Sequence, residues 1–240
     1  MKYQLEKFQF GLERLNLELT EEMINQFLNF YEMLMEKNKV MNLTAITEFE
    51  DVVEKHFLDS LSLADRFDLN QKFKMIDLGT GAGFPGIPLK IVFPELEIVL
   101  MDSLNKRILF LQDVISELKL ENISAVHGRA EEMARNSQYR EKFDLCVSRA
   151  VANLSSLSEY CIPFVKQGGM FISYKSGEVE EEVNQAKKAI HLLGGNIETV
   201  DKFILAGTDL SRSFVKIRKK QRTPKAYPRK AGTPAKDPIV

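Results

Sequence analysis

The sequence predicts an α/β protein: a Rossmann-like sheet with a helical cap in front of it and an antiparallel hairpin at its end. Three observations carry this. From Phe73 onward, short apolar runs alternate with stretches of helical periodicity. A glycine-rich turn follows the first of these runs directly. Two strand-like runs near the end have no helix between them.

The cap comes first. Residues 1–65 lack any strand–glycine–helix pattern. Thr20 is an N-cap candidate, with Glu21 and Glu22 placed favourably near the positive helix end. Met23, Phe27, Phe30 and Leu34 then repeat at helical spacing. Thr47-Glu48-Phe49-Glu50 has the form of a capping box. Val53, Phe57, Leu61 and Ala64 make the apolar stripe of the helix that follows.

Strands are expected at residues 74–78, 98–101, 123–126, 143–147 and 170–174. Leu104, Ile108, Leu111, Ile115 and Leu118 mark one helix between them. Val179, Val183, Ala186, Ile190 and Leu193 mark another, ended by Gly194-Gly195. Runs at 197–203 and 213–217 then form an antiparallel pair. Five β/α units with a terminal hairpin match the class I S-adenosylmethionine-dependent methyltransferase pattern. Nucleotide-binding dehydrogenases usually end in another parallel unit. The expected division is a cap at 1–65, an α/β domain at 66–220 and a basic tail at 221–240.

Charge is divided unevenly. The net charge is -1, yet nine basic residues and one acid lie from Lys216 onward. A basic end on an acidic body suits a polyanionic partner, although a solvated terminus looks the same. Lys175, Lys225, Arg229 and Lys230 are candidates for phosphate contacts. Two cysteines, Cys146 and Cys161, cannot build a disulfide framework and point to a reducing, cytoplasmic setting. The start has no apolar signal segment, and no run approaches the ~20 residues of a membrane span. No His or Cys pair has ligand spacing, so no metal is expected. A monomer is expected, for want of a long exposed apolar stripe.

The main motif is Asp77-Leu78-Gly79-Thr80-Gly81-Ala82-Gly83-Phe84-Pro85-Gly86. Such a loop lets a ligand approach the backbone, but dinucleotide-binding folds share it. Asp77 tilts the choice. Its charge would repel a pyrophosphate and suit the ammonium of S-adenosylmethionine. Asp102, at the next strand end, can accept hydrogen bonds from ribose hydroxyls in either cofactor class. In the loop His127-Gly128-Arg129-Ala130-Glu131-Glu132, Ala130 and Glu131 could meet an adenine edge. An ordinary helix start would read the same way. Arg149 follows the fourth strand and can hold a carboxylate, a guanine edge or a phosphate. His56 shares a helix face with Asp59 and Ser60.

The glycine loop, continued through Ile87-Pro88-Leu89, closely resembles the RsmG family, also called glucose-inhibited division protein B. So do Asn42-Leu43-Thr44-Ala45-Ile46, His56-Phe57-Leu58-Asp59-Ser60-Leu61, Ser148-Arg149-Ala150-Val151-Ala152 and Pro228-Arg229-Lys230-Ala231-Gly232-Thr233-Pro234. The resemblance implies methylation of guanine N7 in the 530 loop of bacterial 16S rRNA, on the RNA or the small ribosomal subunit. It implies cofactor contacts at Gly79, Phe84, Ala130, Glu131 and Arg149; Gly81 lies in the same loop as Gly79 and Phe84. It makes His56 a site-lining candidate. Three other readings compete. A small-molecule methyltransferase leaves the basic tail unexplained. An NAD-dependent oxidoreductase is opposed by Asp77 and the hairpin. A non-enzymatic RNA-binding protein leaves the intact loop unexplained.

Overall fold

Seven apolar runs become strands: β1 (Lys74–Leu78), β2 (Glu97–Asp102), β3 (Ile123–His127), β4 (Phe143–Arg149), β5 (Val165–Ser176), β6 (Gly195–Ile204) and β7 (Ser211–Lys219). The computed structural model describes residues 3–149 and 152–240. Ala150 and Val151 of the 148–152 motif lie outside the described residues. The sheet order is β3-β2-β1-β4-β5-β7-β6. Strands β1 to β5 pair in parallel, and β7 runs antiparallel to both β5 and β6. The chain leaves β1 toward β3 and returns to start β4 on the other side. Crossovers therefore diverge at the carboxyl ends of β1 and β4, where such sheets open a ligand crevice.

Helices cover both faces, so the central strands are apolar on both sides. Met75, Leu100, Leu145 and Ile172 face a core shared with the cap, while Ile76, Met101, Cys146 and Phe171 face the other. The cap supplies Phe8, Phe27, Phe30 and Phe57 to the first core, all fully buried. Each such side chain contributes on the order of 1.5–3 kcal/mol. The described cap residues thus share one core with one face of the sheet.

Helix α1 spans Glu6–Arg14 and α2 spans Glu21–Met41. Thr20 caps α2, its hydroxyl accepting from the Met23 amide at 3.2 Å. The expected capping box at Thr47 does not form. The next helix starts at Phe49, and its N-cap, Glu48, makes no side-chain bond. Glu50 lies 3.9 Å from Lys7, and the Thr47 carbonyl accepts from the Tyr31 hydroxyl. The following stripe is not one regular helix either. Residues Val53–Leu58 form a π-helical turn, continued by Asp59–Leu61 and a 3₁₀ turn at Ser62–Asp65. Such turns are often found at functional sites, and this one carries His56.

The basic end is sewn to the body. Arg140 donates to the carbonyls of Thr223 and Tyr227, and Ser156 Oγ to that of Pro234 at 2.6 Å. Lys219 is fully buried, donating to the Ile162 carbonyl at 2.9 Å, and burial pushes its ammonium down to about 8. Counting its charge toward a surface arm is therefore wrong.

Candidate active site

A cavity of about 640 Å³ opens at the carboxyl ends of β1, β2 and β4. Its floor is the glycine loop. Gly79 and Thr80 donate to the Met101 carbonyl at 2.8 and 3.2 Å, clipping the loop to β2. Gly81 has φ +62° and nothing within 4 Å of a notional Cβ, so the backbone stays open to a ligand there. Gly86 is a different case. A Cβ there would lie 2.3 Å from Leu100 Cδ2 and 2.9 Å from Asp77 Oδ2.

Asp77 lies beneath this loop rather than in the cavity. Its Oδ2 accepts from Thr80 Oγ1 at 2.7 Å and from the Gly86 amide at 2.8 Å. Its Oδ1 has no protein donor among the described residues. Burial pushes the carboxyl up to about 6, against the pull of those two bonds. The bonds that Asp77 makes in the structure go to the loop, which it anchors, and a ligand cation above it would act on the charge at short range.

Asp102 does line the cavity. Its Oδ2 accepts from the Gly81 amide at 3.0 Å and from Arg107 Nη1 at 3.1 Å, and its Oδ1 from the Leu104 amide at 2.9 Å. A carboxylate has about four acceptor sites, so room remains for a hydroxyl donor. Arg107 was not anticipated; its place five residues after Asp102, in the first turn of the helix at Asn105–Glu117, is the signal that could have found it.

Ala130 and Glu131 line the same cavity at the end of β3. Glu131 Oε1 already accepts from the Gly232 amide at 2.8 Å. Tyr160, Gly232 and Ala235 complete this side of the wall. The tail, expected to reach for phosphate, also walls the cavity. Arg229 forks onto Glu159, a fully buried acid, with its Nη2 at 2.8 Å from Oε2. It also donates to the Asp237 carbonyl at 2.7 Å. The geometry opposes its use as a free phosphate contact, while Lys225 and Lys230 remain exposed.

The cap closes the third side. His56 stacks on Phe84 with centroids 4.6 Å apart and planes 22° apart. Its Nε2 is 2.9 Å from Thr44 Oγ1. Burial first, then the Arg149 charge, lowers its pKa to about 4, so the ring is neutral at physiological pH. The Arg149 guanidinium sits 5.1 Å over the Phe84 ring and donates to Asp59 Oδ2 at 2.8 Å. Lys175, expected near phosphate, bonds Glu182 Oε1 at 2.6 Å and borders a neighbouring cavity instead. Among the described residues no cluster of His, Cys, Asp or Glu could hold a metal, and no helix is long and apolar enough to cross a membrane.

A backbone loop for a methionyl group, an acid at a strand end for ribose and a buried carboxylate short of a partner fit S-adenosylmethionine. Fold and site define a class I S-adenosylmethionine-dependent methyltransferase. The family described as rRNA small subunit methyltransferase G matches residues 23–211, and the chain belongs to it. It is 54% identical to the ribosomal RNA small subunit methyltransferase G of Lachnoclostridium phytofermentans, over 96% of this chain and 95% of that one. The protein of the same name from Brevibacillus brevis is 50% identical, over 98% and 99%. Among solved structures, the [4+2]-cyclase SpnF aligns at a TM-score of 0.57 with 14% identity, covering 85% of this chain and 97% of that one. M. jannaschii TYW2, solved with AdoMet, aligns at 0.55 with 14% identity, covering 73% and 79%. These two likenesses show the fold alone.

Proposed function

We propose that this chain transfers a methyl group from S-adenosylmethionine to N7 of a guanine in the 530 loop of 16S rRNA, acting in the cytoplasm. The family supports the substrate class, since its relatives carry the name of a ribosomal RNA small subunit methyltransferase. The observation that carries the chemistry is the wall at His56 and Arg149, where the cofactor cavity meets a second one.

When bound, S-adenosylmethionine supplies an electrophilic methyl group. Guanine N7 has a free lone pair, so its attack needs no prior deprotonation. The residues at the wall suit that chemistry. His56 is held neutral and offers a flat face with Phe84, not a charge. Arg149 keeps its guanidinium at the junction, where it can hold the cofactor's carboxylate. The chain's contribution is then alignment within a partly desolvated cleft, without a general base or covalent enzyme intermediate. Gly79, Gly81, Phe84, Asp102, Ala130 and Glu131 serve the cofactor, Asp77 acts through the loop, and exposed Lys225 and Lys230 serve RNA phosphates as point charges. Binding of RNA should therefore weaken as salt rises.

The test is incubation with methyl-labelled S-adenosylmethionine and unmethylated small subunits or their rRNA, followed by digestion to nucleosides and mass spectrometry. The expected product is labelled 7-methylguanosine. Label in another nucleoside would overturn the N7 reading.

A further inference from the structure

The second cavity, of about 680 Å³, opens at the carboxyl ends of β4 and β5. That volume lies within the usual range of small-ligand sites. Tyr174 and Phe214 give it an aromatic lining, both of them buried. Apart from the Lys175–Glu182 pair, its charged wall is built around Asp59. Asp59, 5% exposed, accepts from Arg149 Nη1 through Oδ2 at 2.8 Å and from Arg212 Nε through Oδ1 at 2.6 Å. The three residues come from the cap, β4 and β7, so their meeting is a product of the whole fold.

Two guanidinium groups against one carboxylate leave the triad with a surplus positive charge. Arg149 also donates from Nη1 to the Lys55 carbonyl and from Nη2 to the His56 ring. Arg212 donates from Nη1 to the carbonyl of the preceding residue, Ser211, at 3.0 Å, and its Nη2 has no bond among the described residues. A guanidinium fixed at one edge by a buried acid, with a donor left over beside an aromatic-lined cavity, is a prepared contact for an oxygen acceptor.

We propose that this cavity receives the target guanosine nucleotide, turned out of the RNA, with Arg212 as a direct nucleotide contact and Asp59 as the positioning residue that sets both guanidinium groups. The inference rests on the methyl-transfer reading above. N7 must reach a methyl group held in the first cavity, so the base has to occupy space adjoining it. The His56–Arg149 wall is where the two cavities adjoin. Enzymes that modify a base commonly take it out of its stack and read it between aromatic side chains. Arg212 then donates to an oxygen of that nucleotide, base O6 or phosphate, and leaves the N7 lone pair free.

The experiment compares the full-length protein with Arg212→Ala, Arg212→Lys, Asp59→Asn and the double variant Asp59→Asn/Arg212→Ala. It reads methyl transfer to unmethylated small-subunit rRNA, S-adenosylmethionine affinity and melting temperature. Arg212→Ala should lower kcat/KM for RNA at least tenfold with cofactor affinity within twofold of wild type. Arg212→Lys keeps a cation beside Asp59 and guards against misfolding; it should recover part of that loss if it folds as wild type does. The Asp59→Asn loss should shrink at least fivefold in the Arg212→Ala background, as coupled residues require. An unchanged kcat/KM in Arg212→Ala, or equal loss of cofactor affinity, overturns the inference while leaving the methyltransferase reading intact. Absence of RNA methylation by the wild-type protein overturns that reading, and this inference with it.

Discussion

The amide of Gly232 donates to Glu131 Oε1 at 2.8 Å, joining residues 101 apart in the chain. One is in the basic tail and the other beside the third strand, and both line the cofactor cavity. The tail is thus part of the cavity wall. Removing residues 224–240 should weaken S-adenosylmethionine binding at least tenfold, measured by calorimetric titration. Unchanged affinity would mean that the tail only leans on the site.

Arg229 should matter for stability before it matters for RNA. Its removal by Arg229→Ala strands the carboxylate of Glu159, which is 1% exposed. Breaking a buried pair in this way costs about 3 kcal/mol. For a chain of this size that is roughly a 6–12 °C fall in Tm. The double variant Arg229→Ala/Glu159→Gln should recover much of it. A melting curve for Arg229→Ala that overlays wild type would show the pair to be idle.

Gly86→Ala tests the loop anchor. The added methyl meets Leu100 and Asp77 at 2.3 and 2.9 Å. The expected outcome is a loss of about 1–3 kcal/mol in denaturant unfolding, together with weaker cofactor binding as the loop shifts. Normal affinity with normal stability would remove Asp77 from the account of the loop.

His56 predicts an acid limb. Its ordinary value is 6.5, and in the fold it is about 4. The folded state therefore binds fewer protons than the unfolded one between these values. Stability from the neutral ring is present above pH 6.5 and is lost as pH falls toward 4. The full effect is on the order of 3 kcal/mol. His56→Gln should remove that slope, read as the difference between wild-type and variant unfolding free energies from pH 7 to 4. A constant difference across the range would contradict the burial of a neutral ring. Asp77 works with the opposite sign, since its raised value favours the fold at the acid end, so only the difference measurement isolates His56.

The sheet was legible because its signal is local. Runs of Ile, Val, Leu and Met end in acids and glycines, so β1 and β2 could be placed from their own residues. The antiparallel hairpin was legible from a missing helix. The lining of the cavity was legible where it is backbone, at Gly79 and Gly81, and where an acid ends a strand, at Asp102. What escaped depends on distant partners. Nothing near Thr47 announces that Tyr31 will take its carbonyl. No local feature of Arg229 points to Glu159, 70 residues away. The π turn at His56 follows from packing and not from periodicity, since its apolar spacing reads as ordinary helix. Charge counting failed for Lys219 because composition carries no depth.

Phe8, Phe27, Phe57, Phe30 and Phe84 form a run of rings between the first helices and the glycine loop, with neighbouring centroids 4.9 to 6.0 Å apart. Ring against ring, this run leaves no seam along which the front of the chain could melt while the back stayed folded. Heat capacity should therefore show a single endotherm. A ligand docked on Phe84 should slow amide exchange as far as Phe27, so occupancy of the cavity becomes readable within the cap.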